Sequence, residues 1–387
     1  MSVVAVLQSL DLLRAITQYQ GGVPSPLRRP LAHLKEVLAK IRYRCASGTS
    51  LWLGIPKDHK SWLDTYGLRA LMRIAQYCPS AITEDVMDYM AGLGHLDAVV
   101  FLTEAGFACT QYAMNVAAEY GHLEIVRYLH VARTEGCTKH AMDYAAKNGH
   151  LDVVAFLHAN RNEGCSLYAM AAAASNGHMT TVQFLHAYRT EGCTSSAMDL
   201  AAGNGDLSMV QFLHFNRHEG CTHAALESAA KTGHLGTVTF LDTNRTEGSR
   251  RQALLFAARF GHLPVVQYLL RKTSCGPDVL DNAARNNQLD VVALLLDLGY
   301  KGSQKAFVWA AMAGHLDMAK LLWAHCSELC NATQALSMAV EYKQTEMVAW
   351  LHTRIHTRRW RATRANETTF KMDHIEFILT QVRAPVY

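Results

Sequence analysis

Thr134 to Arg161 reads TEGCTKHAMDYAAKNGHLDVVAFLHANR, and versions of this stretch recur from near residue 80 to near residue 360. Self-similarity at a fixed step marks a repeat architecture before any other feature is weighed. Gly-His-Leu and its variants begin at Gly94, Gly121, Gly149, Gly177, Gly205, Gly233, Gly261, Asn287, Gly314 and Lys343, a step of 28 residues across the central six and 26 to 29 outside them. That spacing predicts ten units. Within one unit, Thr138 is placed to cap a helix whose small and apolar positions, Ala141, Met142, Ala145 and Ala146, fall on one face at the 3.6-residue period. Gly149 is the expected stop. His150 then leads into a second helix with Leu151, Val154 and Leu157 as its expected buried stripe and Asp152 in the first turn, where negative charge suits the helix dipole. Pro264 sits just inside the matching start in another unit, a position proline tolerates. The paired alanines let a neighbouring helix approach closely, so the units are expected to stack; one alone could not bury its apolar face.

The segments AAEYGHLEIVRYL from Ala117, AAKNGHLDVVAFL from Ala145 and AARFGHLPVVQYL from Ala257 resemble the AAxxGHLxVVxxLL pattern of the ankyrin-repeat family. The resemblance implies an all-α solenoid with first helices lining a concave wall and a role in holding other proteins. The family's unit is about 33 residues and opens with Thr-Pro-Leu-His. Here the step is 28 and the opening is Gly-Cys-Thr, as at Gly136 to Thr138. Aligned on the alanine pair, the missing residues fall where ankyrin repeats project a β-hairpin finger. Short turns are therefore expected instead of fingers.

The chain has 387 residues, half of them hydrophobic, ample for a core spread along an array. With 37 basic and 33 acidic residues the formal charge is +4, so the chain as a whole is not a polyanion binder. No run of about 18 apolar residues predicts a membrane span, and MSVVAVLQSLDLLRA lacks the basic start of a secretory signal. Among the ten cysteines, Cys109, Cys137, Cys165, Cys193 and Cys221 keep the 28-residue step. Equivalent positions in stacked units lie roughly 8 to 10 Å apart, too far for a disulfide. Free, buried thiols in a reducing, cytoplasmic setting are the expectation.

Residues 1 to 80 fit the repeat poorly. SLDLLRAITQY (Ser9 to Tyr19) and LAHLKEVLAKIRY (Leu31 to Tyr43) read as amphipathic helices, and WLDTYGLRALMRIAQYC from Trp62 resembles a worn second helix. Two readings stand: a helical cap over the first true repeat, or a recruiting module like the F-box-like helices of some ubiquitin-ligase adaptors. Residues 81 to 360 form the array without a Pro- or Gly-rich linker, and Asn287 is expected in the left-handed conformation a glycine would take. The basic stretch RIHTRRWRATR, Arg354 to Arg364, reads as a solvated connection, a docking patch for acidic partners, or, on the strength of Trp360, a nucleic-acid contact. Residues 361 to 387 carry Ile375, Ile378, Leu379 and Val382 on one stripe and are expected to form a C-terminal cap helix.

No catalytic or metal constellation emerges. Most of the twenty histidines occupy two repeat positions, one after the glycine and one ending the second helix. His150 and His158 would lie about 12 Å apart along a helix, too far to share a metal ion. Hydrogen-bonded structural roles are expected. HEGCTH (His218 to His223) has its histidines five apart, off one helical face; Cys326 and Cys330 lack a second ligand pair. No cofactor is implied.

A candidate surface follows from helix geometry. Counting from the cap, offsets 2, 5, 6 and 9 point away from the buried set, which in one unit gives His140, Asp143, Tyr144 and Lys147. Offset 6 along the array gives Tyr89, Val116, Tyr144, Ala172, Leu200, Ser228, Phe256, Asn282, Trp309 and Met338, and offset 2 adds Tyr112, His140 and Tyr168. Either these side chains form an aromatic stripe that anchors a protein or peptide, or offset 6 packs against the adjoining unit. The expected site is Tyr89, Tyr112, Val116, His140, Tyr144 and Tyr168. The resulting expectation is an all-α, ankyrin-like solenoid of about ten helix-turn-helix repeats with helical caps, acting as a non-enzymatic protein-binding scaffold. Nucleic acid is the least supported partner.

Overall fold

The computed structural model describes residues 25–46 and 62–363. Every described element is helical. Three helices, α1 (Ser25–Ala46), α2 (Trp62–Tyr66) and α3 (Leu68–Tyr77), come before four pairs: α4 (Glu84–Gly92) with α5 (Leu96–Glu104), α6 (Gln111–Glu119) with α7 (Leu123–Ala132), α8 (Lys139–Lys147) with α9 (Leu151–Asn160), and α10 (Leu167–Ser175) with α11 (Met179–Tyr188). These belong to one compact unit, ending at Thr194; a second begins at Ser195. It contains α12 (Ser196–Gly203) with α13 (Leu207–Asn216), α14 (His223–Thr232) with α15 (Leu235–Asn244), α16 (Arg250–Phe260) with α17 (Leu263–Leu270), α18 (Pro277–Arg285) with α19 (Leu289–Asp297), α20 (Gln304–Ala313) with α21 (Leu316–His325), and α22 (Ala332–Glu341) with α23 (Thr345–Thr363). Ten pairs are thus described, as the spacing predicts.

The local chemistry is visible in the pair α8–α9. Thr138 has extended backbone and its hydroxyl oxygen accepts the amide of His140, capping α8. At the other end Gly149 has φ 77°, and the amides of Gly149 and His150 turn back to the carbonyls of Ala146 and Ala145 at 3.1 and 2.9 Å. This left-handed closure reverses the chain within two residues. Asn287 and Lys343 do the same without glycine, at φ 59° and 57°. Ala141, Met142, Ala145 and Ala146 are buried, and successive first helices pack on one another within each unit. In α9 the buried residues are Val153, Val154 and Leu157, while Leu151 is only half-buried. The expected stripe is therefore rotated by part of a turn, because Leu151 sits at the open first turn of its helix.

Between pairs the chain crosses in short turns such as Thr134 to Cys137, and among the described residues no strand replaces the missing fingers. The cysteines from Cys78 to Cys330 are free thiols. Ahead of the repeats, Trp62 is fully buried and its indole N–H donates to the Pro30 carbonyl at 2.9 Å; α1 packs on α4, and α3 on α5. The stretch from Arg354, read as a connection, is helical to Thr363 as part of α23. The helix expected at Ser9 to Tyr19 and most of the one expected over 361 to 387 lie outside the described residues.

Candidate interaction surface

Four of the six expected site residues reach the surface of the N-terminal unit. His140 and Tyr144, one turn apart on α8, stack with ring centroids 5.6 Å apart. Tyr144 meets Tyr168 of α10 edge to face at 6.1 Å, and the Lys147 ammonium lies 5.7 Å from the Tyr144 centroid. Tyr168 is 45% exposed, His140 is exposed, and Tyr112 and Tyr144 are half-buried. The result is a small aromatic and cationic patch carried on adjacent first helices. Rings held this way present large contact area at low entropic cost.

Tyr89 and Val116 are elsewhere. Tyr89 is 2% exposed and Val116 1%, so neither presents a surface. Burial pushes the Tyr89 phenol pKa up, while the backbone of Trp62 reaches its oxygen. The N-terminal helices cover it. At both positions the alternative of inward packing is the observed one, whereas Tyr144 and Leu200 at the same offset reach the surface.

Asp143, also expected to face outward, is 3% exposed. Its carboxylate accepts the amide of Ser166 at 2.7 Å and the Ser166 hydroxyl at 2.8 Å. The same staple joins Asp88 to Thr110, Asn115 to Thr138, Asp199 to Thr222 and Asp281 to Ser303. Offset 5 thus faces the cap of the next unit. The Asp or Asn that stands 22 to 23 residues before Thr110, Thr138, Ser166, Thr222 and Ser303 was the signal in the sequence.

The histidines are structural in a more specific way than hydrogen bonding between turns. The rings of His122, His150, His178, His234 and His262 lie over the glycine of the preceding unit: a Cβ on Gly121 would meet His150 Nδ1 at 2.5 Å, and one on Gly149 would meet His178 Nδ1 at 2.5 Å. His122 Nε2 is 3.1 Å from the Gly92 carbonyl, and His262 Nε2 2.8 Å from that of Lys231. The glycine is required twice, for its left-handed φ and for the space the next ring fills. Burial holds His95, His122 and His150 below the ordinary imidazole pKa, so they are neutral at pH 7. The histidines that end second helices pack edge to face on the next unit's phenylalanine, as His130 on Phe156 and His158 on Phe184.

A further repeat feature is the Arg-x-Glu fork. Arg161 grips Glu163 through both Nε and Nη2, and Glu163 Oε1 accepts the amide of Cys137 in the preceding unit at 3.5 Å. Burial alone would raise the Glu163 pKa; the bonds from Arg161 and nearby amides outweigh it and hold the group at about 2. Cys137 is pushed up by burial to about 11 and Cys165 to about 12, so both are thiols rather than nucleophilic thiolates. Cys330 Sγ lies 3.3 Å from the Cys326 carbonyl, and among the described residues no three His, Cys, Asp or Glu side chains converge as metal ligands.

Stacked helix pairs, closed by left-handed glycines and stapled cap to cap, define an all-α helical-repeat protein. A family model for ankyrin repeats matches residues 87–167, 142–219, 198–306 and 280–358, well over half of the chain. The chain belongs to the ankyrin-repeat family. A search of curated proteins gives no match. Ankyrin repeats generally mediate protein–protein interaction. No helix among the described residues is long and apolar enough to cross a membrane.

Proposed function

We propose that this protein is a non-enzymatic scaffold that holds a protein or peptide against the first helices of its N-terminal unit, with Tyr112, His140, Tyr144 and Tyr168 as contact residues. The observation that carries this reading is the exposed ring cluster of His140, Tyr144 and Tyr168, flanked by Lys147. A surface fixed by caps and staples loses little conformational entropy on binding. The helices before residue 80 act as a cap on this reading: their apolar residues, among them Trp62, Leu71 and Ile74, are spent on the interior. Buried, protonated cysteines suit a reducing, cytoplasmic setting.

The test is affinity capture from native lysate with quantitative mass spectrometry, comparing the full chain with a Y112S/Y144S/Y168S triple variant. Proteins enriched by the parent should be lost with the variant, while the melting temperature shifts by only a few degrees. Equal capture by both chains would overturn the assignment of these residues.

A further inference from the structure

In the C-terminal unit the staple joins Asp199 to Thr222 and Asp281 to Ser303 but is absent at the junction into α16, and a cleft of roughly 440 Å³ opens there. Counting by the 28-residue step, Arg250 occupies the cap position held by Thr138, Ser166 and Thr222, Ser249 occupies that of Cys137, Cys165 and Cys221, and Asp242 occupies that of His130, His158 and His214. Where the histidine would pack on the next unit's ring, the Tyr268 hydroxyl donates to Asp242 at 2.9 Å. Arg250 and Lys272 also bind this one buried carboxylate. The cleft is lined by four cations, Arg245, Arg250, Arg251 and Lys272, against the single carboxylate of Asp242.

Three observations mark what is missing from this site. In the regular forks, Arg133, Arg161, Arg189 and Arg217 each give Nε to the neighbouring glutamate at 3.2 Å. Arg245 bonds Glu247 through Nη2, but its Nε is buried without a partner. Second, α16 begins at the cleft with Arg250 and Arg251 in its first turn and no acidic residue, so two cations stand against the positive end of the helix dipole. Third, Arg251 is held only by an exposed pair with Asp278 at 3.1 Å, a bond that exchanges readily for a better one.

The geometry points to an anion site in this cleft for a doubly charged phosphoryl group, gripped by Arg250, Arg251 and Lys272 at the N-terminus of α16, with Arg245 behind. Guanidinium groups match phosphoryl oxygens through paired N–H donors, and a dianion balances the one charge that Asp242 leaves on Arg250 and Lys272 together with that of Arg251 once it exchanges its exposed partner Asp278. The aromatic patch of the N-terminal unit plays no part in it. Such a group is carried by a phosphorylated serine or threonine of a partner or by free phosphate, and the two sources separate by experiment.

The full chain is titrated at pH 7.5 by calorimetry with inorganic phosphate and with a phosphoserine peptide flanked by neutral residues. Saturable binding is expected, at least tenfold weaker in R251Q and in a R251Q/K272Q double variant. It should be unchanged in R259Q, whose side chain lies outside the cleft over Phe260. Affinity for the phosphoserine peptide should fall as pH drops below about 6, where the phosphate monoester loses its second charge. R251Q removes an exposed arginine and is expected to leave the fold intact, which circular dichroism checks. Tighter binding of the peptide identifies a phosphorylated segment as the source, and equal affinities identify the free anion; both results support the site. Absence of saturable binding by either probe, or equal weakening by R259Q, would overturn it.

Discussion

Replacing Asp88 by asparagine should stabilise the first helix pair at neutral pH, by an amount set by the burial of its carboxylate. Asp88 is 2% exposed, and burial raises its pKa from 3.8 to about 6. The Thr110 amide at 3.0 Å and hydroxyl at 2.5 Å pull the other way without overcoming it. The folded state therefore binds the proton more tightly than the unfolded chain does. This group's contribution to stability is fully present below pH 3.8 and is lost as pH rises through about 6. A shift of about two units corresponds to ~3 kcal/mol. The protein contains its own control: Asn115 does the same work with an amide, its Oδ1 accepting from the Thr138 amide at 2.9 Å and its Nδ2 donating to the Thr138 hydroxyl at 3.0 Å. D88N should thus match the parent near pH 4 and exceed it by ~3 kcal/mol at pH 8. Urea unfolding from pH 4 to 8 measures the difference, which cancels the other titrating carboxylates. Amide exchange over residues 84 to 104 localises it to this pair. A difference that stays flat with pH, or a variant less stable than the parent at pH 8, would refute the assignment of burial as the dominant cause.

Two glycine variants separate backbone strain from crowding. G106A, at φ 78° with open space around the new methyl, should cost about 1–2 kcal/mol, whereas G149A, at φ 77° with His178 2.5 Å from the new atom, should cost clearly more; urea unfolding ranks them. Equal losses would remove the packing role given to the histidine that follows each glycine. Cys137 and Cys165, with thiol pKa values of about 11 and 12, should alkylate with iodoacetamide at pH 7.5 at least ~100-fold more slowly in the folded chain than in urea. Mass spectrometry of time points reads the ratio, and similar rates in both states would show that these sites are neither buried nor protonated as described.

Much of the architecture was legible in one dimension because its determinants are local. Thr138 caps because its hydroxyl reaches an amide two residues on, and Gly149 ends its helix because only a left-handed residue closes that turn. Both events lie within a few residues of chain, so a 28-residue step was enough to place ten helix pairs. The candidate surface was half legible. A helical wheel gives the direction of a side chain from its own axis, which put Tyr144 and Tyr168 correctly together; it does not contain the neighbour that covers Tyr89 or the cap that receives Asp143.

The order of the helix pairs and their number came from the amino-acid sequence alone, since periodicity and capping are properties of a segment. Tertiary structure alone decided which outward positions are free, which acids staple one unit to the next, and that the exchange of Cys-Thr for Ser249–Arg250 together with Asp242 opens a cationic cleft. The reason is physical: exposure and charge compensation depend on atoms more than twenty residues away in the chain, and their distances are set only when the helices pack.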